Sequence, residues 1–250
     1  MIEAKGIYKG FDGREILKDI NVDLQQGRVN MIIGQSGAGK SVLFKCLVGL
    51  LDVDQGEVLY DGQNFTNMEF KEKKSIRKEI GMLFQAGALF DSQTVQENIM
   101  FPLDMFSDMT KEEKLERVNF CLDRVNIANA NHLYPGEISG GMQKRVAIAR
   151  AIAMKPKYLF CDEPNSGLDP RTSIVIDNLI KDITEEYNMT TVVISHDMNS
   201  VIEIGDHISF IHEGQLWWNG SKEEILKTEN PEVNEFVYAS KFMKIVKQNI

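Results

Sequence analysis

Eight consecutive residues, Gly34-Gln-Ser-Gly-Ala-Gly-Lys-Ser41, fit the pattern G-x-x-x-x-G-K-[ST] at every fixed position. Glycines allow backbone N–H groups to close around phosphates. Lys40 neutralises charge on the β- and γ-phosphates, and Ser41 offers a hydroxyl to Mg²⁺. The apolar run Val29–Ile33 leads into this loop and a helical pattern from Lys40 to about Leu50 leaves it, which is the strand–loop–helix context such a cradle needs. The chemistry is binding of ATP or GTP, a property shared by kinases, GTPases and many ATPases.

Phe160-Cys161-Asp162-Glu163 narrows the choice. Asp162 falls at the end of an apolar strand, where it can hold a hydrated Mg²⁺. Glu163 points elsewhere and is placed to orient or deprotonate an attacking water. His196, in Ile-Ser-His-Asp197, ends the next apolar run, where a γ-phosphate sensor is wanted. Gln85 follows Met82–Phe84, and its amide can both bind Mg²⁺ and hydrogen-bond water.

A second anion site stands at Ser139-Gly140-Gly141, the opening of an amphipathic helix over residues 138–153. Ser139 is a good N-cap, and free N–H groups beside glycines attract anions. One nucleotide does not need two triphosphate cradles in one subunit, so this second site is expected to serve the nucleotide of a neighbouring copy.

The elements that position these residues can be sketched from periodicity and turn signals. Residues 1–30 alternate apolar and polar types around Asp12-Gly13 and Gln26-Gly27, which predicts short antiparallel strands. A hairpin-like piece at Gly56–Gly62 follows the first helix, and Lys71–Lys78 predicts a solvated helix face. Residues 91–155 are predicted to be mostly helical. Thr110-Lys-Glu-Glu113 is a capping box, and Leu115, Val118, Leu122 and Val125 recur at helical spacing as a packing face. Tyr158–Cys161 and Thr191–Ile194 predict buried parallel strands. The order of elements indicates an α/β core carrying a helical lobe. Pro231–Ile250, with Val233, Phe236, Val237, Phe242, Ile245 and Val246 among lysines, is expected to be a terminal helix packing on its own domain, with a helix reaching to a partner as the alternative.

The chain has 250 residues, 43% of them hydrophobic, enough for one large domain or a domain with a lobe. Its net charge of −9 argues against a basic nucleic-acid-binding surface. Cys46, Cys121 and Cys161 are far apart among apolar neighbours and are expected to be buried thiols of a reducing cytosol. The N-terminus lacks the apolar core of a signal peptide, and no run approaches the roughly 18 to 20 apolar residues of a membrane span.

With these pieces in place, the chain resembles the ATP-binding subunits of ABC transporters over nearly its whole length. The resemblance implies an α/β P-loop NTPase (RecA-like) core with an N-terminal antiparallel β subdomain and an inserted α-helical subdomain at about residues 88–155, within an ATPase domain over residues 1–230 and a helical tail over 231–250. It implies that Phe11, with Tyr8 as a nearby competitor, stacks on adenine. Gly34, Gln35, Ser36, Gly37, Ala38, Gly39, Lys40, Ser41 and the following Val42 form the Walker A site. Gln85 is similar to the Q-loop glutamine, and Ser139-Gly-Gly-Met142 to the signature motif that binds the γ-phosphate held by the opposite subunit. Asp162 and Glu163 match the Walker B aspartate and the catalytic glutamate, Ser166–Asp169 the D-loop, and His196 the switch histidine. The family's commonest signature ends in glutamine where this chain has Met142, with Gln143 one place later.

After Gln85 come Ala-Gly-Ala-Leu-Phe90, Thr94–Asn98 and Phe101-Pro-Leu103. Together with the SGGM signature and the basic Lys144 and Arg145, they resemble the MlaF-type ATPases, which work with MlaE-type permeases and lipid-binding MlaD-type partners to move phospholipid between bacterial membranes. The implied protein is an ATP- and Mg²⁺-dependent dimer on the cytoplasmic face of the inner membrane. Ala88, Leu89, Phe90, Phe101 and Leu103 would form an apolar patch for a permease's coupling helix, the alternative being that they fill the core of the helical lobe, as some of them must. An ATPase of an amino-acid or other small-solute importer has the same cassette. A non-transport ABC ATPase acting on ribosomes or DNA fits less well, since such proteins usually carry two cassettes or a long coiled coil. A P-loop kinase leaves Ser139–Gly141 and His196 unexplained.

Overall fold

A hairpin begins the chain. Ile2–Phe11 (β1) and Arg14–Leu24 (β2) pair antiparallel, with Phe11 opposite Arg14. The two residues between them, Asp12 and Gly13, both have positive φ (50° and 78°), the backbone of a tight hairpin turn whose twist suits the strands it joins. The computed structural model describes residues 1–85 and 87–239, and these fall into two compact units, residues 1–68 with 192 onward, and residues 69–191.

In the first unit, Gln55–Tyr60 (β4) pairs with the free edge of β1, and Gln63–Asn64 (β5) completes an antiparallel sheet in the order β2-β1-β4-β5. Arg28–Ile33 (β3) lies parallel to His207–His212 (β9), with Asn30 opposite His207 and Ile33 opposite Phe210, and Gln215–Gly220 (β10) runs antiparallel to β9. All of β3 after Arg28 is buried, as expected of a strand covered on both faces. Lys40–Leu47 (α1) follows the glycine loop. Met198–Ile204 (α7), Lys222–Ile225 (α8) and Pro231–Val237 (α9) complete the unit. Val233 and Val237 of α9 are buried and Phe236 is half-buried, its ring 5.3 Å from that of Phe210. Phe242, Ile245 and Val246 lie outside the described residues.

In the second unit, Ile80–Leu83 (β6) and Tyr158–Asp162 (β7) pair in parallel, with Leu83 opposite Cys161. Thr190–Ile194 (β8) starts here, and its last residues belong to the first unit. The helices are Phe70–Lys78 (α2), Val95–Phe106 (α3), Lys111–Arg124 (α4), Gly140–Ile152 (α5) and Pro170–Tyr187 (α6). Within α2 only Ile76 is buried, so its lysines form the expected solvated face. Thr94 and Thr110 each accept a hydrogen bond from the amide three residues on, and Glu97 and Glu113 reciprocate, which satisfies two of the first amides of each helix.

The buried face of α4 departs from expectation. Val118, Leu122 and Val125 are buried, but Leu115 is 38% exposed. At about 100° per residue, the buried arc has turned away from Leu115 toward Cys121 and Arg117. The cause is Arg117, 9% exposed, whose guanidinium donates to the Ala153 and Ile152 carbonyls at 2.9 and 2.7 Å. Those carbonyls stand at the C-terminal end of α5, where Lys155 N also donates to the Ile152 carbonyl at 3.0 Å. Cys46, Cys121 and Cys161 are buried and free. Burial raises the first two thiols to about 11 and Cys161 further still, which leaves them protonated and inert at neutral pH. Among the described residues no helix is long and apolar enough to cross a membrane.

Candidate nucleotide site

The glycine loop of the first unit owes its shape to close packing. Gly34 has φ 148°, and a Cβ there would lie 2.2 Å from the backbone oxygen of Ile211, a distance no side chain tolerates. The loop therefore rests directly on the end of β9. Gln35, Ser36 and Gly37 are exposed, whereas Ala38 and Gly39 are buried. Lys40, 8% exposed, donates from Nζ to the carbonyls of Gly34 and Gln35 at 2.8 and 2.9 Å. The loop thus holds its own cation at its mouth. Ser41 is exposed and Val42 half-buried in the first turn of α1. Two further candidates belong to this unit. Phe11 ends β1 with its ring 45% exposed and the Lys9 ammonium 5.5 Å from the ring centroid, whereas Tyr8 is half-buried. His196 is exposed between β8 and α7, on a backbone fixed by hydrogen bonds from Ser195 N to the Ile32 carbonyl (3.4 Å) and from Asp197 N to Ser195 Oγ (3.0 Å).

The second unit carries the acids. Asp162 is the last residue of β7, and both it and Glu163 are half-buried. Glu163 has φ 50°, a left-handed conformation that a non-glycine residue adopts at a cost and that clusters at functional sites. The turn is closed by Ser166 N donating to the Glu163 carbonyl at 3.1 Å. Behind it, Asn165 Nδ2 donates at 2.8 Å to Asp177, an acid 3% exposed on α6. Asp169 caps α6. Its carboxylate accepts from the Thr172 hydroxyl and from the Thr172 and Arg171 amides, which together hold its pKa below the usual carboxylate range.

Gln85 is exposed, and its Nε2 donates to Ser166 Oγ at 3.2 Å. The loop beyond it is built by side chains that local pattern does not reveal. Asn98 is fully buried. Its Oδ1 accepts from Phe90 N at 2.8 Å, and its Nδ2 donates to the carbonyls of Phe90, Gln93 and Thr94. Arg150, on α5, donates to the Ala88 and Gly87 carbonyls, both at 2.8 Å. Asn98→Leu is expected to strand these loop groups and to cost about 2–4 kcal/mol of stability. Urea unfolding would measure the loss, and amide exchange should rise first at residues 87–94.

At the start of α5, Ser139 Oγ accepts from Met142 N at 3.3 Å. The two glycines differ. A Cβ on Gly141 would lie 2.6 Å from Thr172 Cγ2, whereas one on Gly140 would meet nothing within 4 Å. Gly141 is needed for helix packing, and Gly140 faces open space, at a cavity of about 520 Å³ that also takes in Asp169 and Arg171. Gln143 does not stand in for the glutamine that Met142 replaces. Its Nε2 donates to the Pro135 and Ile138 carbonyls at 2.9 and 3.4 Å, fastening α5 to the turn before it.

The apolar patch is partly a groove. Met82, Phe84, Ala88, Phe90, Phe101 and Phe106 line a cavity of about 490 Å³ with Arg77, Lys78 and Arg150 around it. Leu103 is fully buried in α3 and Leu89 half-buried, so the first belongs to the core.

Comparison with known proteins shows the family. The ABC transporter family profile matches residues 17–166. A probable ribonucleotide transport ATP-binding protein, mkl, of Mycobacterium leprae is 36% identical over 236 residues, 94% of this chain and 68% of the relative. The methionine import ATP-binding protein MetN of Desulfitobacterium hafniense is 38% identical over 242 residues, 95% of this chain and 71% of the relative. The intermembrane phospholipid transport ATP-binding protein MlaF of Haemophilus influenzae is 36% identical over 237 residues, 95% of this chain and 90% of the relative. The dimeric ATP-binding cassette MJ0796, solved in a post-hydrolysis state bound to ADP and phosphate, superposes with a TM-score of 0.80 at 32% identity, covering 89% of this chain and 99% of that one. This chain belongs to the ABC transporter family and is an ATP-hydrolysing subunit of such a transporter.

Proposed function

We propose that two copies of the chain sandwich two ATP–Mg²⁺ and drive a phospholipid transporter of the MlaF type from the cytoplasmic face of the inner membrane. The observation that carries the dimer is the helix end at Ser139. It is open on its Gly140 side in a chain that already owns a complete phosphate loop, and the MJ0796 cassette is itself a dimer. Phe11 stacks on adenine, the amides of residues 34–42 and Lys40 hold the phosphates, and Ser139–Gly141 reaches the γ-phosphate of the other copy, beside its Asp169 loop. Glu163 takes the proton of the attacking water, oriented by Gln85, and His196 contacts the γ-phosphate. Ser41, Gln85 and Asp162 are hard oxygen donors of the kind Mg²⁺ takes and would hold that ion, which would supply positive charge to the reacting phosphates.

The apolar groove beside Phe84 and Phe90 receives a helix of an MlaE-like permease, which an MlaD-like lipid-binding protein accompanies. Support for lipid as the cargo comes from the GALF run after Gln85, the SGGM signature and the MlaF relative. The MetN relative favours a second reading, an importer of an amino acid. Purifying the intact membrane complex and identifying what travels with it separates the two. Enriched phospholipid is expected, and ATPase activity that answers to a soluble solute-binding protein instead would overturn the lipid reading.

A further inference from the structure

Lys144 lies on the signature helix α5, five residues past its cap, and is 6% exposed. Burial of an ammonium is costly unless it is hydrogen-bonded and faces opposite charge. Here Nζ donates to the backbone carbonyl of Gln85. Burial pulls the Lys144 pKa down, and the nearby carboxylates of Asp162 and Glu163 oppose that pull. The contact is the first link of a continuous series. Gln85 Nε2 donates to Ser166 Oγ at 3.2 Å, and Ser166 N donates to the Glu163 carbonyl at 3.1 Å. A single path of hydrogen bonds therefore runs from the signature helix through the glutamine loop to the left-handed turn at Glu163. An apolar side chain of the same length would fill the space with less desolvation, but it would leave the Gln85 carbonyl without this donor and remove the positive charge from beside the acid pair.

We propose that Lys144 is a positioning residue for ATP hydrolysis, holding the Gln85 loop and the Glu163 turn in one arrangement set by the signature helix. This rests on the roles given above to Gln85 and Glu163. It touches no phosphate, so its effect falls on turnover and spares nucleotide binding.

The test uses the full chain with ATP and Mg²⁺. Lys144→Met is expected to lower kcat roughly tenfold, about 1.4 kcal/mol of barrier, with KM for ATP within about twofold of the parent. Lys144→Arg, which keeps a charged donor, should recover most of the rate. Lys144→Gln, which keeps a donor without charge, should fall between and also serves if the methionine variant does not fold. Thermal unfolding is followed in parallel. Unchanged kcat in folded Lys144→Met or Lys144→Gln overturns the proposal. So does a loss of kcat and a rise of KM that track lowered unfolding temperature in every variant, arginine included, because that pattern belongs to a merely structural residue. Glu163→Gln is the control. If it hydrolyses ATP at the parent rate, the reading of the site has failed, whereas an inactive Glu163→Gln beside a fully active Lys144→Met rejects the Lys144 inference alone.

Discussion

Glu163→Gln is expected to bind ATP as the parent does, to hydrolyse it at least about a hundredfold more slowly, and to accumulate as an ATP-bound dimer. A positioned general base contributes about 10²–10⁴ to rate, and glutamine has the shape of glutamate without its basicity. The substitution leaves the fold alone. The residue's conformation is set by its backbone, with φ 50° and a carbonyl held by Ser166 N, and neither depends on the side-chain charge. Its Lys144 neighbour keeps its bond to the Gln85 carbonyl. Phosphate release and light scattering after size exclusion, both with ATP present, read the two halves of the expectation. Hydrolysis at the parent rate would remove Glu163 from its role. Slow hydrolysis with no dimer would mean that turnover and association are not linked through the nucleotide.

The second large effect is expected from Gly140→Asp. Nothing lies within 4 Å of a Cβ at this position, and an acid in the first turn of a helix suits the helix dipole, so stability should hold or rise slightly. The carboxylate would nevertheless stand at the mouth of the cavity beside Ser139, where the other copy's γ-phosphate is proposed to sit. Two anions at that range repel strongly once water is excluded. Hydrolysis should fall about a hundredfold or more, and the dimer trapped by Glu163→Gln should be lost in the double variant. Binding of a fluorescent ATP analogue to the isolated chain should be unchanged, since the phosphate loop is in the other unit. A dimer that survives Gly140→Asp would refute the shared site. Gly141 is unsuitable for the same experiment, because any side chain there strikes Thr172 and loss of activity would report only the collision.

Much of this was readable from the sequence because it is local. The glycine loop, the acids ending β7, the capping boxes of α3 and α4 and the Asp12-Gly13 turn are each written in consecutive residues, and the structure forms the elements they predict. What escaped is the set of long polar side chains that fasten one segment to another. Lys144 reaches Gln85, Arg150 reaches Gly87 and Ala88, and Arg117 reaches the end of α5. Each joins a side chain to a distant backbone carbonyl, and every residue has a carbonyl, so no pairing of residue types betrays the contact. Leu115 shows the cost of that blindness. Spacing alone put it inside, and a buried arginine two positions later turned the helix face away from it. Asn98 left a faint signal, a polar residue between the core residues Val95, Ile99 and Leu103, which points to an internal hydrogen-bonding hub once that face is known to be buried.

The seating of Gly34 on the Ile211 carbonyl bears on how the protein is made. The phosphate loop leaves the ribosome well before β9, the strand that supports it. Unit 69–191 is one uninterrupted stretch and can assemble while translation continues. The first unit must wait, its β3 lacking the parallel neighbour with which it pairs at Asn30–Ile33. Pairing over so long a separation is slow. A nascent chain that stops short of β9 has the whole phosphate-binding sequence without the surface that shapes it, so competence to hold ATP waits on the translation of β9.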